Sequence, residues 1–250
     1  MDSMVNQVII NCDDFGFDEQ INRAVVQALE CKMLSSASLL VDAPAVIDAL
    51  DISKSYPELG VGLHINLDEI LLFTNSDFRG RDIDDFSPLI NKEYLIKYRG
   101  IIADEINRQI IKALELGFNI THFDGHHNVH LLPGVIQIVI GVSQKFGLSK
   151  MRFLRSFYKH RYDSLKDVIH LIEVEGVITT KHFLEFSEIM KNDSLAHHCS
   201  LEIMVHISKE LARKKWRNIQ LQQLLSPAFN ELLIKNNYEL INFSDLSNNN

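Results

Sequence analysis

The chain has 250 residues, 46% of them hydrophobic, and carries 33 acidic against 25 basic side chains for a formal net charge of -8. That length and apolar content can bury one large core, and the acidic balance without a Lys/Arg stripe argues against nucleic acid and for a neutral or cationic small substrate. No stretch approaches the roughly 18 consecutive apolar residues of a membrane span. The start MDSMVNQVII lacks a basic region and a cleavage site, and Cys12, Cys31 and Cys199 form no CxxC pair. The expectation is a reduced, cytoplasmic protein with neither a disulfide framework nor a thiolate zinc site.

In chain order, Val8 to Asn11 reads as a buried strand, and Asp18 caps a helix whose Ile21, Ala24, Val25, Ala28 and Leu29 follow the i, i+3, i+4 pattern. Ala37 to Val41 is a second strand, with Pro44 opening a helix. Val61 to Asn66 is a third strand, Ile101 to Leu116 a helix closed by Gly117, Ile120 to Asp124 a strand, and a further helix runs from near Pro133 to Gly147. Met151 to Leu154, Leu201 to Val205 and Tyr238 to Phe243 are later strands. This alternation predicts βαβ units and a parallel sheet, open or closed into a barrel. Asp68 to Tyr98 has no clear period and is expected to be a long excursion over a site or a partner contact. Residues 1–246 are expected to form one catalytic domain, with Ser247 to Asn250 a frayed tail.

The polar residues of interest fall at the carboxyl ends of these strands, the edge where parallel α/β folds bind ligands. Asp13 and Asp14 leave the first strand, His64 ends the third, DGHHNVH (124–130) follows the next, and His206 follows Glu202 to Val205. Adjacent carboxylates allow a division of labour, one binding a cation while the other acts as a general base. His64 with Asp14 and one histidine of the later cluster makes a two-His, one-Asp set suited to a divalent cation with open positions. The bend expected at Gly125 favours His126 as that histidine, with His130 in reserve and Asp124 either orienting a ligand or lining the substrate pocket. His206 has the chemistry of a leaving-group acid.

The stretches NCDDFGFDEQIN, SSASLLVDAPAV, VGLHINL and THFDGHHNVHLLPGV, with EIMVH at residues 202–206, resemble the YdjC-like carbohydrate deacetylase family. The resemblance covers roughly Val5 to Arg155, and as an ordered set the motifs are specific. It implies a deformed (β/α) barrel related to the NodB-type polysaccharide deacetylases, with one divalent metal ion and removal of acetate from an N-acetylated sugar. By position it makes Asp14, His64 and His126 the metal ligands, Asp13 the catalytic base and His206 the acid. It implies Mg²⁺, whereas ligand softness also admits Zn²⁺, Mn²⁺ or Co²⁺, and it is compatible with a homodimer. Phe15, Phe17 and Phe123 are candidates to stack on a sugar ring. The chain departs from the family pattern at Cys12 and at Ile207 after His206, and Ser156 to Ser200 carries no resemblance. The competing readings are a metal-dependent hydrolase of another amide or a phosphoester on the same barrel, and a non-catalytic sugar-binding protein.

Overall fold

The computed structural model describes residues 5–67, 92–156, 165–192, 195, 199–210 and 215–247. The expected tail beyond Ser247 and all but the end of the Asp68–Tyr98 excursion lie outside them. Among the described residues, seven parallel strands carry the fold: β1 (Asn6–Phe15), β2 (Ser36–Leu39), β3 (Gly60–Ile65), β4 (Ile120–Gly125), β5 (His182–Glu185), β6 (Ser200–Val205) and β7 (Tyr238–Leu240). The sheet order is β4-β3-β2-β1-β6-β5. Beside β1, β7 pairs with Asn6 to Val8 and β2 with Asn11 to Phe15.

Among the described residues the ladder does not close, but its two edges approach each other. Isolated parallel bridges join Phe123 of β4 to Met151, and Lys150 to Ile178. Three residues after Ile178, the Lys181 amide donates to Ser200 Oγ at 3.0 Å as the chain enters β5 at the opposite edge. The result is a parallel α/β sheet curled toward the deformed (β/α) barrel that the family resemblance implied, with Met151 to Leu154 supplying a bridge where a full strand was expected.

The helices are α1 (Glu19–Glu30), α2 (Val46–Ser55), α3 (Lys92–Leu116), α4 (Val135–Ser143), α5 (Leu165–Val174), α6 (Phe186–Asn192), α7 (Lys215–Leu224) and α8 (Pro227–Lys235). Asp18 caps α1 as expected, its Oδ1 accepting from the amides of Gln20 and Ile21 at 2.8 Å each. The helix expected from Ile101 begins instead at Lys92, because Tyr98 and Ile102 already bury a face against the core.

Strand alternation sorts side chains into two environments. Val8, Ile10 and Cys12 of β1 face outward into the main core under the helices. Ile9 points inward to a small plug with Phe243 and Leu246. Above that plug the inward positions are polar and buried: Asn11, Asp13, Ser38, His64, His122, Asp124 and Glu202.

His122 marks the boundary between plug and polar interior. Its ring stacks on Phe243 with centroids 3.7 Å apart and planes at 12°. Burial drives its pKa down to about 3, so it is a neutral packing element. The ring also lies against the bare backbone of Gly62, where a Cβ would lie 2.2 Å from His122 Nε2. Gly62 is therefore required by close approach, and because His64 is two residues on, this contact also fixes the strand that carries it. Gly62→Ala is expected to destabilise the fold by about 1–3 kcal/mol through overpacking. Urea unfolding with a lowered midpoint and an unchanged slope is the expected result.

Candidate metal centre and active site

Successive residues of an extended strand point to opposite faces, so Asp13 and Asp14 should diverge. They do not, because Asp14 adopts a left-handed backbone with φ 65° and the β1–β2 register shifts between Cys12 and Phe15. Such a conformation costs a non-glycine residue about 1–2 kcal/mol, although Asp tolerates it better than most. The consequence is that both carboxylates face one cavity. The same reversal turns Phe15 outward into the main core, where it is fully buried. The expectation that Phe15 contacts substrate is therefore corrected, and Phe17, two residues later, lines the cavity instead.

A second bend positions the histidines. Beyond Gly125, His127 and Asn128 both have positive φ, 52° and 58°. This sharp turn sets His126 on the cavity wall and sends His130 into the interior, where it is fully buried. There its Nε2 donates to the carbonyl of Arg152 at 3.1 Å. Burial pulls the His130 pKa down to about 4, so the ring is a neutral strut behind the site.

Asp14, His64 and His126 converge. Asp14 Oδ1 lies 3.3 Å from His126 Nδ1 and 3.7 Å from His64 Nε2. The three candidate ligand atoms all fall within 4.8 Å of one another. Asp14 Oδ2 is taken by Arg217 Nη2 at 2.5 Å, while Oδ1 is buried with no hydrogen-bond donor. A buried carboxylate oxygen without a donor is costly unless a cation meets it. His64 is prepared for the same cation: its Nδ1–H donates to Asp124 Oδ1 at 2.8 Å, which leaves Nε2 facing Asp14. The donor set therefore fits a divalent metal. A second grouping, Asp13, His64 and Asp124, is geometrically compact. It is a poorer candidate because both carboxylates spend their oxygens on protein donors.

Those donors come chiefly from Arg152, which the motif reading missed. Its guanidinium is fully buried and pairs with both oxygens of Asp13 at 2.6 and 2.8 Å, with Asp124 Oδ2 at 2.8 Å and with Glu202 Oε1 at 2.7 Å. Ser38 Oγ also donates to Asp124 Oδ2 at 2.8 Å, and Asn11 Nδ2 donates to both Ser38 and Asp13. Asp124 is fully buried and absent from the cavity wall, so of its two expected roles the geometry gives it that of orienting His64.

The charges respond accordingly. Burial alone would raise Asp13, but the positive charges of Arg152 and His64 outweigh it and hold the carboxyl below its ordinary range. Asp14 and Asp124 are likewise held low against burial, Asp14 by His126 and His64 and Asp124 by Arg152 and His64. Burial works against the charged form of His64, yet Asp124, Asp13 and Asp14 together lift its pKa to about 9. Glu202 is pushed up to about 7 by burial, since Arg152 reaches only one of its oxygens and Oε2 has no partner.

His206 stands at the end of β6, its Nε2 4.0 Å from Asp13 Oδ2. Its amide donates to Gln220 Oε1. Burial lowers its pKa despite Asp13 and Asp14, so the imidazole is neutral at rest. Asp13, Asp14, His64, His126 and His206 share a cavity of approximately 480 Å³ with Phe17, Glu185, Trp216 and Arg217. Of the last three, Glu185 lies in the Ser156 to Ser200 stretch and Trp216 and Arg217 lie beyond EIMVH, all outside the matching motifs. Arg152 and Glu202 did leave a trace in the sequence, each a charge inside an apolar run, MRFL and LEIMV.

Comparison with known proteins identifies the family of the chain. The YdjC-like protein family model matches residues 7–235. A carbohydrate deacetylase of Geobacillus stearothermophilus is 31% identical over 63% of this chain, an alignment spanning 64% of that protein. Another from Vibrio vulnificus is 27% identical over 96% of both chains. The crystal structure of an Enterococcus faecalis protein, provisionally described as a cellobiose-phosphate cleavage protein, superposes with a TM-score of 0.75 at 20% identity, covering 96% of this chain and 98% of that one. Over nearly its whole length, the chain belongs to the YdjC-like protein family.

Proposed function

We propose that the protein is a metal-dependent carbohydrate deacetylase that hydrolyses the acetamide of an N-acetylated sugar, a chitooligosaccharide or related N-acetylglucosamine compound, to acetate and free amine. The observation that carries this reading is the buried, donorless Asp14 Oδ1 between two imidazoles, on the same cavity as an Arg-clamped Asp13 and His206. The carbohydrate deacetylases among its relatives support the reaction class.

Asp14, His64 and His126 would hold the cation. When bound, it supplies Lewis acidity that polarises the amide carbonyl and makes water more acidic. Asp13 takes the proton of the attacking water, its carboxylate aimed by the bidentate grip of Arg152. His206 is neutral at rest and must gain a proton before it can give one. Asp13, 4.0 Å away and loaded with the water proton, is the adjacent source. His206 then protonates the departing amine, so the proton taken from water ends on nitrogen and the hydroxyl oxygen in acetate. In this reading one domain carries the whole apparatus and acts in the cytoplasm. No helix among the described residues is long and apolar enough to cross a membrane.

Two experiments test the proposal. After chelation and reconstitution the native chain should hold about one divalent ion per molecule, lost in His64→Ala and His126→Ala and retained in Asp13→Asn. Equal metal content in all four proteins would remove the assigned ligands. Acetate release from N-acetylglucosamine oligomers should fall about 10²–10⁴-fold in Asp13→Asn and about 10²-fold in His206→Ala. Phosphate release from sugar phosphates without acetate release would instead assign the site to another hydrolase class.

A further inference from the structure

Trp216 is the chain's sole tryptophan, and it is spent on the surface rather than in the core. It lies on α7 with 52% of its area exposed, on the wall of the catalytic cavity. Indole is the largest apolar side chain, so a half-exposed one beside a polar site calls for a ligand that covers it. Its placement is fixed from two sides. The Arg217 guanidinium carbon sits over the ring, 5.2 Å from its centroid, and Arg217 is itself fastened to Asp14 Oδ2 at 2.5 Å. On the other flank the ring meets His206 edge-on, with centroids 5.8 Å apart and planes at 60°.

That second contact is the informative one. In the proposed reaction His206 reaches the amide nitrogen, and that nitrogen is bonded directly to a carbon of the sugar ring. A pyranose whose nitrogen lies at His206 must place its ring within a few ångströms of the adjacent indole. One face of a pyranose presents axial C–H groups, which are apolar and complement the negative face of an aromatic ring. We infer that Trp216 is the platform for the pyranose ring that bears the scissile acetamide, and that it gives the site its preference for sugar amides over other acetamides. This inference rests on the deacetylase reading and adds the residue that recognises the sugar. Neighbours agree with the role: Glu185, also on the cavity wall, offers a carboxylate that can accept from sugar hydroxyls.

A single tryptophan makes the test direct. Titrating metal-loaded Asp13→Asn protein with N-acetylglucosamine and its dimer should move the tryptophan emission saturably. In the wild-type background, Trp216→Ala should raise KM about tenfold, equivalent to losing roughly 50 Å² of apolar contact, with kcat changed by less than about threefold. Trp216→Phe should recover most of the loss. Ile219→Ala, exposed on the same helix but away from the cavity wall, should change neither constant. Acetate release by the wild type together with unmoved emission and an unchanged KM in Trp216→Ala overturns the platform. Absence of acetate release from every N-acetylated sugar tells against the deacetylase reading instead. In that event the emission titration decides the platform alone: a saturable change supports it and a flat response overturns it.

Discussion

Arg152 is the side chain on which the site depends. A fully buried guanidinium must be paired on every edge or it destabilises the fold by several kcal/mol. Here the fork of donors is divided among Asp13, Asp124 and Glu202. The pairing then propagates. With Asp124 Oδ2 committed to Arg152 and Ser38, Oδ1 is left to accept from His64 Nδ1, and that bond dictates which nitrogen of His64 faces Asp14. A lysine could not replace this arrangement, since a point ammonium has no planar fork with which to hold two oxygens of Asp13 at once.

The scaffold makes room for such a polar interior by separating it from the apolar core. Outward positions of the strands pack beneath the helices, and the lower interior is closed by Ile9, Phe243 and Leu246. Only the upper interior is polar, and there nearly every group finds a partner. The exceptions in and around the site are Asn11 Oδ1, Asp14 Oδ1, Asn128 Oδ1, His130 Nδ1, Glu202 Oε2 and two nitrogens of Arg217. The left-handed backbone at Asp14 belongs to the same economy. Strand geometry could present one carboxylate to the cavity, and a strained residue presents two.

Much of this was legible in the sequence, and the reasons are physical. Short apolar runs and period-3.6 patterns exposed β1 to β4 and their helices, because the strands are buried on both faces and each helix buries one face against the same core. His64, His126 and the aspartate pair were legible because ionisable groups at the ends of apolar strands are uncommon. Glycine beside histidine in DGHHNVH pointed to the bend, although not to the consecutive left-handed residues that part His126 from His130. What escaped lies in the second half. The strand β5 covers only four residues, each with some exposure, so it carries no apolar run. α7 has an almost even spread of polar residues, which hides both Trp216 and Arg217. Phe15 was misplaced for a different reason: its direction depends on the dihedral of Asp14, and no periodicity encodes a single left-handed residue.

Charge accounting joins the scaffold to the proposed chemistry. Asp13, Asp14, Asp124 and Glu202 place four carboxylates around the interior, against the two guanidinium groups of Arg152 and Arg217. That leaves a deficit of two positive charges in a region almost sealed from water, where an uncompensated charge costs most. Protons make up part of it when no cation is bound, which is the physical content of a His64 pKa near 9 and a Glu202 pKa near 7. One divalent ion held by Asp14, His64 and His126, as proposed, would supply the whole deficit, and His64 would have to give up the proton on the nitrogen that faces Asp14 to hold it. Fold stability and the proposed metal affinity would then be two readings of the same imbalance: the interior holds an excess of carboxylate that its own arginines do not neutralise, at the place where the proposed hydrolysis needs a cation.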